Sequence, residues 1–91
     1  MSVKSIMCCC GSGLGSSLLV RMNVEKAVKE LGFSGIDVQH SSLSSAVNGA
    51  ADLFVIGKDL EASAGELENK IILDNILDME ELKAKLQTKL L

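Results

Sequence analysis

The sequence predicts an α/β fold built on a parallel sheet, and three observations carry that expectation. Short apolar runs of strand length alternate with longer segments of helical periodicity. The first run empties into a loop of glycines and serines, and a helical pattern starts directly after it. The interior must be aliphatic, because the chain is 47% hydrophobic with two Phe and no Trp, Tyr or Pro. Strand–helix alternation in the order βαβαβαβα implies a four-stranded parallel sheet joined by right-handed crossovers. A doubly wound order 2-1-3-4 follows as a three-layer sandwich with helices on both faces. It puts a switch point between the first and third strands, and ligands in such sheets bind beyond the strand C-termini at that point.

Each element rests on its own residues. Val3 to Cys9 is short, apolar and closed by glycine, so it reads as a buried strand. A helix is expected to start near Leu14 to Ser16. Leu14, Leu18 and Met22 fall on one stripe, followed by Val24, Ala27, Val28 and Leu31. Gly32 is placed as the C′ glycine, with Phe33 folding back on Val28 in a Schellman-type closure. Gly35 to His40 alternates, with Ile36, Val38 and His40 set against Asp37 and Gln39, as in a half-buried edge strand. Ser41 to Gly49 reads as a loop and a short helix capped by serine. Asp52 to Gly57 is a central strand. Lys58 to Glu68 is a loop with a weak helix or turn, and Lys70 to Leu73 is the last strand. Asp78 is placed at the N-cap of the final helix with Glu81 at N3, a capping-box analogue, and Leu82, Leu86 and Leu90 line one face.

Composition narrows the function. The 91 residues are expected to form a single domain, residues 1–91. A net charge of −3, scattered cations and a near absence of aromatic side chains argue against nucleic acid as partner. The N-terminus is too short in apolar residues for a secretory signal, and no run approaches the ~20 residues that span a bilayer. The expectation is a cytoplasmic protein whose membrane role, if it has one, runs through a partner chain. Three consecutive cysteines on a strand alternate between faces and lack the spacing of a zinc site, which fits a reducing compartment. No cluster of carboxylates suggests a metal, and no cofactor is expected.

The chemistry gathers in Cys10-Gly11-Ser12-Gly13-Leu14-Gly15-Ser16-Ser17. Backbone N–H groups of a glycine loop and a helix N-terminus form an anion site. A thiol at its first position is a candidate nucleophile, because those amides and the helix end lower its pKa. Against that stands the ordinary role of a cysteine as a small buried hydrophobe, which suits Cys8 and Cys9 better. The loop is neither the dinucleotide fingerprint nor a P-loop, since Ser16 stands where the first needs glycine and no Gly-Lys-Ser/Thr follows. Ser12, Ser16 and Ser17 are either hydroxyl donors to an anion or polar helix-start residues. A phosphatase loop would have arginine at the sixth position after the cysteine, and here that position is Ser16. Without arginine's bidentate clamp the loop is poorer at stabilising a hydrolytic transition state.

The run Cys10 to Ser17, followed by Leu-Leu-Val-Arg-Met22 and an amphipathic helix, resembles the enzyme IIB components of the bacterial sugar phosphotransferase system (PTS). It is most similar to the ascorbate type, with C-G-x-G-x-G-S-S, hydrophobics, a basic residue and Met. The lactose/chitobiose and galactitol types match less well. The resemblance implies a phosphatase-I-like doubly wound fold and a phosphoryl carrier without cofactor or metal. A phosphohistidine on a IIA partner would phosphorylate Cys10, and the group would pass to a sugar held by a membrane IIC partner. Gly11, Ser12, Gly13, Leu14, Gly15, Ser16 and Ser17 would cradle the phosphate. The alternatives are a small cysteine-dependent phosphatase or a phosphate-sensing regulatory domain. His40 reads first as an ordinary edge imidazole and second as a docking or proton-handling group. Arg21 reads first as a solvated helix charge and second as a contact to the IIA partner.

Overall fold

A computed structural model of the chain describes residues 3–9, 14–41, 47–65 and 67–90, with residues 14–17 described by their backbone alone. The elements are β1 (Ser5–Cys9), α1 (Leu14–Glu30), β2 (Asp37–His40), β3 (Leu53–Gly57), two short 3-10 turns (Lys58–Leu60 and Ala62–Ala64), β4 (Lys70–Leu73) and α2 (Met79–Leu90). The four strands form one sheet in the order β2-β1-β3-β4, every pair parallel. This is the doubly wound α/β arrangement that the alternation implied, with β2 at an edge and β3 inside.

The two faces of the sheet are covered differently. On one, Ile6, Cys8, Val38, Leu53, Val55, Ile71 and Leu73 pack against Val20, Val24, Ala27 and Val28 of α1 and Leu82 and Leu86 of α2. Leu82 and Leu86 are 1% and 0% exposed, and burial of each such side chain contributes about 2 kcal/mol. On the other face, Met7, Cys9, Phe54 and Ile56 are closed over by Ala64 and Leu67, with Leu60 beside them. The segment expected to be a weak helix or turn is thus two 3-10 turns. Ala62-Ser63-Ala64-Gly65 offers no apolar stripe long enough to hold an α-helix on the sheet. The expected helix within Ser41 to Gly49 falls largely on residues 42–46, which lie outside the described residues; Asn48 and Gly49 form a turn.

Strand starts shift inward from the apolar runs, for local reasons. Asp52 lies before β3 because its carboxylate accepts from the backbone N–H groups of Lys4 and Ser5, at 2.8 and 3.2 Å. Its own N–H donates to the Ser5 Oγ at 3.0 Å. These bonds lock the start of β1 beside β3. Gly35 has φ +74°, a left-handed conformation that delays β2 to Asp37.

The end of α1 follows the expected Schellman closure. Phe33 N–H donates to the Val28 carbonyl at 3.1 Å and Gly32 N–H to that of Lys29 at 3.1 Å. Gly32 sits at φ +87°. The start of α1 corrects the sequence reading. Leu18 and Met22, expected on the core stripe, are 43% and 57% exposed, and Leu19 is 37% exposed. Val24, Ala27 and Val28 face the core as expected, and Val20, four residues before Val24, extends their stripe in place of Leu18 and Met22. The side chain of Leu14 lies outside the described residues.

At α2, Asp78 is the N-cap: its Oδ1 accepts from Glu80 N–H at 3.0 Å and Glu81 N–H at 3.2 Å. The return half of the capping box is absent. Glu81 reaches back instead to the N–H groups of Asp74 and Asn75, at 2.9 and 3.0 Å. Lys85 Nζ donates to Glu81 at 2.8 Å and to the Ile72 carbonyl at 2.6 Å. This set ties the turn after β4 to the first turns of α2. The Lys85 ammonium and the two backbone donors hold the Glu81 carboxyl down at about 2.

Two outcomes follow for stability. Gly32→Ala puts a Cβ into open space but keeps the left-handed backbone, so chemical denaturation should show a loss of about 1 kcal/mol. The folded-state value of Glu81 lies below its ordinary carboxylate range of ~4.3, so the stability that it gives is present above that range. It is lost as pH falls toward about 2. Thermal melts across this window should fall more steeply for the native chain than for Glu81→Gln, whose midpoint is already lower at neutral pH.

Candidate functional site

In a parallel sheet every strand runs the same way, so the exits of β1, β2, β3 and β4 share one edge. β1 lies between β2 and β3, and the strand order reverses there: the chain leaves β1 for β2 on one side and later returns to β3 on the other. That reversal opens the crevice in which ligands of such sheets sit. In the chain, four residues separate the end of β1 at Cys9 from the start of α1 at Leu14. Of the sequence-derived site, Cys10, Gly11, Ser12 and Gly13 lie outside the described residues, as do the side chains of Leu14, Ser16 and Ser17. The backbone of Leu14, Gly15, Ser16 and Ser17 forms the first turn of α1.

α1 is 17 residues long and carries no acidic residue in its first turn. The partial positive charge at its N-terminus is therefore not neutralised by its own side chains. Cys8 and Cys9 point to opposite faces of β1 and are fully buried in the two separate cores. Burial pushes the Cys9 thiol up. A raised pKa keeps it protonated at neutral pH, which leaves it a poor nucleophile. The two cysteines inside the strand thus behave as packing residues, in line with the sequence reading of them.

Around this edge the described side chains form two polar groups. His40 ends β2, in register with Cys8 of β1, and the next N–H, of Ser41, donates to the Cys8 carbonyl at 3.0 Å. Arg21 of α1 reaches across to it, its Nη1 lying 3.2 Å from His40 Nδ1. The same guanidinium lies 3.9 Å from Glu25. On the far side, Lys58 after β3 pairs with Asp74 after β4 at 3.6 Å, both exposed. Sequence reasoning named Arg21 and His40 but kept them apart. Their contact depends on the rotation of α1, and a Val20–Val24–Val28 stripe was the signal for that rotation. Leu18, Leu19 and Met22 are exposed on the first half of α1, close to the loop in sequence.

No helix among the described residues is long and apolar enough to cross a membrane. The sequence matches the family model of the PTS system, Lactose/Cellobiose specific IIB subunit over residues 5–88. It is also similar to the Ascorbate-specific PTS system EIIB component of Mycoplasma pneumoniae. The two are 29% identical over 84 residues, covering 89% of this chain and 88% of the relative.

The burial of Cys8 and Cys9 has a measurable consequence. A thiol alkylating reagent at neutral pH should leave both unmodified in the native chain and label them only after unfolding. Peptide mass mapping reads the pattern; rapid native labelling of Cys8 or Cys9 would contradict their burial.

Proposed function

Because the chain belongs to the IIB family of the PTS, whose members are phosphotransferases, we propose that it carries a phosphoryl group on Cys10. The carrier is a single domain over residues 1–91, working in the cytoplasm and meeting the membrane only through its IIC partner. The observation that carries the reading is the position of the Cys10 loop in the chain. It runs from the end of β1, at the strand-order reversal, to the N-terminus of a long helix that has no acid in its first turn.

Two displacements make up the transfer. The Cys10 thiolate attacks phosphorus of a phosphohistidine on the IIA partner; the S–P bond forms as the N–P bond breaks. The electron pair stays on the imidazole nitrogen, which takes up a proton. A hydroxyl of the sugar held by the IIC partner then attacks phosphorus. The O–P bond forms, the S–P bond breaks, the thiolate leaves with the electron pair and the hydroxyl proton departs. Gly11, Ser12, Gly13, Leu14, Gly15, Ser16 and Ser17 supply amide and hydroxyl donors to the phosphoryl oxygens. Such transfers need positioning and charge stabilisation more than a catalytic base.

The sugar is ascorbate or a related substrate. Two likenesses support this: the C-G-x-G-x-G-S-S run of the ascorbate type, and the relative named ascorbate-specific. Ser16 in the place of a phosphatase arginine favours a carrier over a hydrolase. Incubation with a phosphorylated IIA protein should add one phosphoryl group to the chain by intact mass. Cys10→Ser should abolish the gain, whereas Cys8→Ser and Cys9→Ser should keep it. A native chain that gains nothing, or a Cys10→Ser variant that still gains it, sinks the reading.

A further inference from the structure

β4 stands at one end of the sheet order, so among the described residues no strand lies on its outer side. The ladder with β3 fixes which backbone groups face that way. In a parallel pair, the groups of successive residues point alternately toward and away from the neighbour. Phe54 N–H donates to the Asn69 carbonyl at 2.9 Å, and Phe54 is in register with Lys70. Asn69 therefore faces β3, as do Ile71 and Leu73. Lys70 and Ile72 direct their N–H and C=O groups outward. Such an edge is a template for a further strand, and the β-branched Ile71 and Ile72 suit one.

Lysines close this edge. Lys85 of α2 donates its Nζ to the outward Ile72 carbonyl at 2.6 Å. Glu81, one turn earlier, accepts from the same ammonium at 2.8 Å. Its side chain is 14% exposed, the least of the carboxylates in the described ion pairs. Withdrawing Lys85 therefore breaks two charge-assisted bonds, unlike withdrawing a solvated lysine. A groove of about 210 Å³ beside β4 is lined by Lys70, Ile71, Ile72, Lys85, Thr88 and Lys89. Lys70 Nζ turns back to the Leu67 carbonyl at 2.9 Å.

We propose that Lys85 is a guard on the β4 edge: held by Glu81, it occupies the Ile72 carbonyl and denies the edge to β4 of a second copy of this chain. A second copy is the occupant because the edge is self-complementary. In an antiparallel pair about a two-fold axis at Ile71, Lys70 of one chain faces Ile72 of the other. These outward residues would exchange both N–H···O=C bonds. That pairing needs the Ile72 carbonyl of both chains, and Lys85 covers each. None of these residues belongs to the Cys10 loop, so the guard is independent of what that loop carries.

Light scattering over a concentration series, with amide hydrogen exchange, tests the guard. Lys85→Met keeps the apolar stem and removes the ammonium. It should self-associate more tightly than the native chain by about tenfold or more, the scale of one charge-assisted bond released. The Lys70 and Ile72 amides should become protected in the associated form. Lys89→Met makes the same change of charge in the same groove, away from the Ile72 carbonyl, and should behave as the native chain does. Should Lys85→Met not fold, Glu81→Gln, which leaves the lysine in place but loosens its hold, decides by the same two readouts. A folded Lys85→Met chain that associates no more tightly than the native one overturns the proposal. So does association that leaves the Lys70 and Ile72 amides exchanging as before, or that Lys89→Met produces equally.

Discussion

Parallel pairing around β1 is the constraint on which the rest of the structure depends. A parallel sheet cannot be closed by hairpins, so the chain must return over a face after each strand. Every exit then lies at one edge and every entry at the other. With β1 between β2 and β3, the first return runs to one side and a later one to the other. The strand-order reversal at β1 is a product of that connectivity. The entry edge does the complementary work: the Asp52 carboxylate holds the N–H groups of Lys4 and Ser5 and fixes β1 beside β3. A register slip of one residue would exchange Cys8 and Cys9 between the two cores and turn every strand side chain over.

The second determinant is the rotation of α1. Val20, Val24 and Val28 recur every four residues and, with Ala27, make a narrow, shallow stripe against the sheet. Burying that stripe leaves Leu18, Leu19 and Met22 outside. It also turns Arg21 toward the end of β2, where it meets His40. The Schellman closure at Gly32 and Phe33 ends the helix and sends the chain into β2. The side-chain arrangement at the exit edge is therefore a consequence of core packing some way along the same helix. The Lys83–Glu30 pair between α2 and α1, at 3.1 Å, is a surface contact of small energetic weight beside that burial.

Much of this was legible in the residues, and the reasons are specific. β4 stands at Lys70–Leu73 as read, because a short apolar run before Asp74 and Asn75 has few other ways to be buried. Asp78 caps α2, and Gly32 ends α1, because each satisfies backbone groups that a helix end must otherwise leave orphaned. The reading failed where a choice between alternatives is settled by tertiary contact. On α1, Val24, Ala27 and Val28 were read onto the core face correctly, but Leu18 and Met22 were placed with them and Val20 was not. The four-residue spacing Val20–Val24–Val28 continues into the core, and it leaves Leu18 and Met22 on the solvent side. The Glu81 carboxylate likewise had two sets of donors within reach. The turn at Asp74 and Asn75 competes with the Asp78 N–H, which is already satisfied by the Asn75 carbonyl at 3.0 Å. As for the candidate site, its sequence pattern and its place in the connectivity were legible, whereas the Arg21–His40 contact was not.

That contact bears on why such an edge would hold a phosphoryl group without hydrolysing it. Hydrolysis through a cysteine intermediate gains from a full positive charge clamped bidentately on the transferring group. Ser16 removes that clamp from the loop itself. The arginine that does reach this edge, Arg21, is already engaged, with its guanidinium against His40 Nδ1 and close to Glu25. Amide and hydroxyl donors stabilise a bound phosphoryl dianion without strongly favouring a water attack on it. On the carrier reading, moving the guanidinium one step back from phosphorus separates a group meant to be passed on from one meant to be released.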